Sequence, residues 1–304
     1  MITPLEAMHD PEKTPPRIND ELLKGVLEDN FPDFLRFLYP DADAIFDLER
    51  EIQFLDKELR KIAPNRKKKT GGRVADLLAK VFLRDGTEKR ILVHTEIEGG
   101  RSRDFAFRMF QYYYRILERN KRHETDGDIP VEAIAFFTGD GQQPRPTEYG
   151  RQAIKTGMRF WYMTYHVFDH SEEQLLAMDN VFALVVLACQ KSLLEGKVPD
   201  RELGQYRIAI ARELLRRNYS RERVLSLLSF LKEFLYVRDP ELNRTFDDEV
   251  EQFSGGKTTM GVIQVLEERA RMMGKQEGVQ EGMDLGMDLG MEKGMEKGME
   301  KGME

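Results

Sequence analysis

The chain has 304 residues, 40% hydrophobic and 33% charged, with a formal net charge of −7. That apolar share excludes wholesale disorder, and no apolar run approaches the roughly 20 residues needed to span a bilayer. A single cysteine, Cys189, excludes a disulfide framework and any multi-cysteine zinc site, and the acidic balance argues against a large nucleic-acid coat without excluding a local basic surface.

Residues 1–18, with Pro4, Pro11, Pro15 and Pro16, read as a flexible arm. No apolar signal-peptide region is visible in it, so the expectation is a cytoplasmic protein with no membrane partner. Asn19 offers a helix N-cap before the acids Asp20 and Glu21. Leu22, Leu23, Val26 and Leu27, then Phe34, Leu35 and Leu38, recur at helical spacing with a break at Pro32. Ile45, Leu48, Ile52, Leu55 and Leu59 predict a further helix over 44–62, stopped by Pro64.

Residues 64–72 form a loop by composition, within a stretch from Arg60 to Arg73 that holds seven basic residues and no acid. A hairpin follows: a β-like run over 74–83, a turn signal at Asp85-Gly86, and a return strand over 90–97. The pattern then predicts a helix over 102–120, a strand over 131–138 and a fourth strand over 160–168, in which Trp161 and its aromatic neighbours read as core. From Ser171 the character is helical, with stretches over 181–195, 205–217 and 220–237. The domain reading is an α/β core over 19–170, a helical region over 171–273 and a Gly-Met-rich tail over 274–304. In that tail glycine recurs every four residues, eight times from Gly274 to Gly302, a composition that reads as weakly helical or disordered.

The hairpin carries the chemistry. Asp76 and Glu96 are equidistant from Gly86, so a turn centred there sets them directly opposite, with Cβ atoms about 4.5–5.5 Å apart. Glu98 shares Glu96's strand face, about 7 Å along it. Carboxylates at that spacing, in strands as apolar as Val-Ala-Asp-Leu-Leu-Ala, repel unless a cation sits between them. Mg²⁺ is bound by one or two carboxylates and keeps other sites for water and phosphate. The alternatives are strand-end acids reaching water, or ion pairs to Arg73 or Arg90.

These residues resemble the Rpn family of recombination-promoting nucleases, also called YhgA-like transposases, within the PD-(D/E)XK nuclease superfamily. The likeness rests on Asp20-Glu-Leu-Leu-Lys24, Arg73-Val-Ala-Asp76-Leu-Leu-Ala-Lys-Val, Val93-His-Thr-Glu96-Ile-Glu98 and Phe107-Arg-Met-Phe-Gln-Tyr112, and it covers about residues 19–190. It implies a mixed sheet flanked by helices, with a C-terminal helical region beyond. It also implies Mg²⁺- or Mn²⁺-dependent endonuclease activity on DNA, with Asp76 and Glu96 as metal-binding carboxylates and position 98 as the third catalytic position. The superfamily usually has Lys there and Rpn-like proteins often Gln; this chain has Glu98, suited to act as general base or extra ligand.

Asp20, Lys24 and Glu28 follow one another at one-turn spacing and could face the site or form surface pairs. Arg108, Gln111 and Tyr112 lie on the helix after the metal strand, where an Arg could clamp a phosphate. Arg66, Lys67, Lys68, Lys69 and Arg73 are candidates for DNA backbone contacts, or a solvated loop. His94 could flank the metal or be a hydrogen-bonded core histidine. Cys189 in its apolar helix reads as buried and inert. Ser254-Gly-Gly-Lys-Thr258 is not a P-loop, since Glu251 stands where the first glycine belongs. Two other classes stay open beside the nuclease: a nuclease-fold DNA-binding protein impaired at Glu98, and a scaffold acting through the tail. A homo-oligomer is compatible with each.

Overall fold

The computed structural model describes residues 19–55, 76–84, 90–98, 104–122 and 130–253; at Asp76 and along 90–98 the description is of the backbone. Three helices come first, α1 (Asn19–Asp29), α2 (Phe31–Leu38) and α3 (Ala42–Ile45). Strands β1 (Gln53–Phe54), β2 (Asp76–Phe82) and β3 (Arg90–Glu98) precede helix α4 (Phe105–Arg122) and strand β4 (Val131–Phe137). Then come β5 (Glu148–Gln152), β6 (Gly157–Trp161) and β7 (Met163–His166). Five helices complete the order: α5 (Glu172–Ala177), α6 (Val181–Ser192), α7 (Asp200–Arg216), α8 (Arg221–Phe234) and α9 (Pro240–Phe253).

The main sheet has the strand order β1-β2-β3-β4-β7. β1, β2 and β3 are antiparallel neighbours, while β3, β4 and β7 run parallel. Adjacent parallel strands need a crossover connection, and α4 supplies it between β3 and β4. Alternation along the strands divides the side chains between two cores. Leu77, Ala79 and Val81 of β2 and Ile134 and Phe136 of β4 join one cluster with α1, α2 and α6 to α9. Ala133, Ala135 and Phe137 pack on the other face against Phe105 and Met109 of α4, and Leu78 packs there against Tyr112 and Ile116. Helix α6 is buried over every residue from Val181 to Lys191, so its lack of a polar face follows from being surrounded. Its first turn is capped by Asn180, whose Oδ1 accepts from the Phe182 N–H at 2.7 Å. No helix among the described residues is long and apolar enough to cross a membrane.

Four expectations are corrected. The helix over 44–62 ends at Ile45 as α3, and residues 53–54 form an edge strand on Ala79 and Lys80; residues 56–62 lie outside the described ones. Ile52 and Leu55 satisfy a helical period, but the cross-strand partners that claim this segment are distant in sequence. The single strand over 160–168 is two strands in two sheets, β6 paired with β5 and β7 with β4. The switch occurs at Tyr162, whose hydroxyl donates to the Pro146 carbonyl at 2.6 Å and whose N–H donates to Thr147. Trp161, expected in the core, is 73% exposed, because the register places it opposite Glu148 on the ribbon face that nothing covers. The break expected at Pro32 falls two residues earlier, at Asn30 between α1 and α2, and Pro32 itself sits in the first turn of α2, where its missing N–H costs nothing.

Candidate active site

The β2–β3 ladder sets Asp76 directly against Glu96, the pairing expected from the hairpin turn. On its other side Glu96 registers with Ala135 of β4, and Glu98 with Phe137. Residues in direct register share a sheet face, so positions 76, 96 and 98 belong to the face on which Leu78, Ala135 and Phe137 pack beneath α4. Position 94 lies on that face too, between Leu78 and Ala133. All three acidic positions fall at one end of the sheet, where β2 begins and β3 and β4 end. The neighbour of Glu96 on β4 is an alanine, so that strand brings no bulky side chain to the carboxylate-bearing position.

Helix α4 supports this end of the sheet. Tyr112 is fully buried against Leu78, two residues from Asp76 on the same face of β2. It fixes the strand by packing. Arg108 is half-buried, with its guanidinium 5.3 Å from the centre of the Phe105 ring. Gln111 is half-buried. Helix α1 packs through Leu23, Val26 and Leu27 into the cluster on the opposite face of the sheet. On this helix Lys24 pairs with Glu28 at 3.5 Å. The side chain of Asp20, the loop residues Arg66, Lys67, Lys68, Lys69 and Arg73, and the side chains of Asp76, His94, Glu96 and Glu98 lie outside the described ones. Among the described residues no cluster of three or more His, Cys, Asp or Glu side chains is placed to hold a metal ion.

Next to this end of the sheet stands a group that sequence reasoning passed over. His166, the last residue of β7, registers with Phe137 and is fully buried. Its Nδ1 accepts from the Phe168 N–H at 3.1 Å, which leaves the proton on Nε2, 3.2 Å from the Asp140 carbonyl. Burial, reinforced by the Arg145 cation, holds the imidazole below its ordinary pKa and therefore neutral. The five histidines of the chain have no motif spacing, and nothing local in the sequence marks this one. Cys189 is buried as expected, and burial pushes its thiol pKa far up, so it is no nucleophile.

No protein-family model, no curated protein and no solved structure matches this chain.

Proposed function

We propose that the chain is a metal-dependent DNA endonuclease with a PD-(D/E)XK-type core, the reading that the sequence resemblance implies. The observation that carries it is the direct register of Asp76 with Glu96, with Glu98 two residues on along the same face. The element order supports it: helices, three antiparallel strands, a crossover helix, then a strand parallel to the third. The donor set is all oxygen, which suits a hard cation such as Mg²⁺ or Mn²⁺.

Asp76 and Glu96 would hold the ion. Bound there, Mg²⁺ supplies Lewis acidity toward a phosphate oxygen and makes water more acidic. Glu98, as general base, takes the proton of the attacking water. Arg108, on the helix over the same face, would orient a scissile phosphate. The products, following the resemblance, are a 3′-hydroxyl and a 5′-phosphate. One observation favours a second reading, a DNA-binding protein with impaired catalysis: Glu98 stands where the family it resembles carries Lys or Gln.

The test is supercoiled plasmid incubated with purified protein in Mg²⁺, Mn²⁺ or EDTA. Nicking should need the metal and be lost in D76A and in E96A. Added Mn²⁺ should raise the melting temperature of the wild type and leave both variants unmoved. E98Q should slow cleavage by about 10²-fold if Glu98 is the base. Faster cleavage by E98Q or E98K would establish the impaired reading instead. Undiminished nicking by D76A and E96A would overturn the assignment.

A further inference from the structure

β5 and β6 form a two-stranded ribbon outside the main sheet, paired from Glu148–Trp161 to Gln152–Gly157. Its root is fastened to α4. Tyr149 stacks on Phe110 with ring centres 5.4 Å apart, and Phe160 lies 4.6 Å from Tyr113. Beyond that root every residue from Gly150 to Arg159 is exposed. The loop over 153–156 is closed by the Ala153 N–H donating to the Thr156 carbonyl at 2.6 Å. Ile154 in that loop is 99% exposed, and Trp161 is 73% exposed nearer the root. Met158, 37% exposed, joins them, so the ribbon carries three large apolar side chains in water rather than one scattered singly.

The ribbon is also basic in an acidic protein. Arg151, Lys155 and Arg159 face one acid, Glu148, which pairs with Arg159. Arg151 is propped by its own strand, its Nε donating to the Tyr149 hydroxyl at 2.8 Å. The ribbon sits on the candidate site's side of the sheet. Phe137, in register beside Glu98, packs in one cluster with Phe160 and Tyr162 at its root.

We infer that the β5–β6 ribbon enters a groove of duplex DNA, with Arg151 and Lys155 on phosphates and Ile154 as an apolar wedge at the base pairs. This rests on the nuclease reading above and adds the element that grips the substrate. Two-stranded ribbons bind DNA in the major or the minor groove, and from the minor groove apolar side chains press between base steps and bend the duplex. The paired part of the ribbon, about 17 Å long, spans such a groove. Three cations against one acid on the ribbon, in a protein of net charge −7, favour a polyanion as its partner.

Trp161 is the only tryptophan in the chain, so its emission reports on the ribbon. The full chain is titrated with a fluorescently labelled 30-base-pair duplex in EDTA, following label anisotropy and Trp161 emission together. Both signals should change with one midpoint. The double variant Arg151→Gln/Lys155→Gln should lower the slope of log affinity against log salt by about 2, near 0.9 for each phosphate no longer neutralised. Ile154→Ala should keep that slope, weaken binding about fivefold and reduce the duplex bend measured by end-to-end energy transfer. Circular dichroism checks that these exposed substitutions leave the fold intact. Anisotropy that rises while Trp161 emission and all variants stay as wild type would overturn the ribbon and spare the nuclease reading. A protein-concentration-dependent change of emission without DNA would assign the ribbon to self-association. No anisotropy change at all would overturn the ribbon, while nicking of plasmid in Mg²⁺ decides the nuclease reading separately.

Discussion

His166 is neutral because the fold makes it so, and that has a pH signature. Its carbonyl partner at Asp140 and its N–H partner at Phe168 fit one tautomer, and its backbone N–H donates to Asp169 at 2.8 Å. Its folded pKa lies below the ordinary 6.5. As pH falls through 6.5 the unfolded chain takes up a proton that the folded chain refuses, so the folded state loses stability. The loss has a limiting slope of about 1.4 kcal/mol per pH unit and ends where the folded imidazole itself protonates. Urea unfolding at pH 7.5 and 5.5 should show this fall, and His166→Gln should flatten it; an unchanged pH dependence in the variant would place its source elsewhere. The sequence does not show His166's role, because its partners are backbone groups drawn from a distant loop and a local turn. The Asp76–Glu96 pairing is legible, because a hairpin's register follows from its turn. Trp161 misleads, because an aromatic in an alternating run reads as core unless one knows which face of the strand is covered.

Among the elements, α4 links the candidate site to the core. Tyr112 fills the space between this helix and β2 near the Asp76 end. Tyr112→Ala should therefore cost about 3–5 kcal/mol, the range for deleting a buried aromatic ring. Tyr114→Ala, on the same helix but 54% exposed, should change stability by about 0.5 kcal/mol or less. Equal effects on the urea midpoint would contradict the assigned helix face. The elements that could be read from sequence carry their signal over a full length: largely apolar runs in β2, β3 and β4, and apolar residues recurring at three and four in α1, α2, α4 and α8. Those missed are short or borrow their stability from elsewhere. β1 is two residues paired to a distant strand. α5 is six residues long, started by the Ser171–Gln174 capping box. β5 is exposed along most of its length, so it carries no hydrophobic alternation.

At the scale of the whole molecule, the α/β part and the helices after Ser171 share one interior. Phe182 of α6 stands 5.1 Å from Phe34 of α2 and 5.9 Å from Phe136 of β4, ring centre to ring centre. Polar links follow the same seam. Asn180 donates to the Asp33 carbonyl at 3.0 Å, Arg223 of α8 bonds Asn30 at 3.0 Å and pairs with Asp33, and Ser226 donates to Asp29 at 2.8 Å. A fragment ending at residue 170 keeps all of the candidate site's residues yet loses the helices that cover the opposite face of the sheet. Each fully buried Val, Leu or Phe is worth about 1.5–3 kcal/mol. α6 alone contributes Val181, Phe182, Leu184, Val185, Val186 and Leu187 to that interior, so the gross loss rivals a typical net stability of about 5–15 kcal/mol. The fragment 1–170 should accordingly show no cooperative thermal transition, bind a hydrophobic dye and lack near-ultraviolet dichroism. It should also fail to nick plasmid although Asp76, Glu96 and Glu98 are all present. A cooperative transition in that fragment would mean that the antiparallel strands, α4 and the first three helices hold together unaided, and that the helices after Ser171 were added to a unit already able to fold.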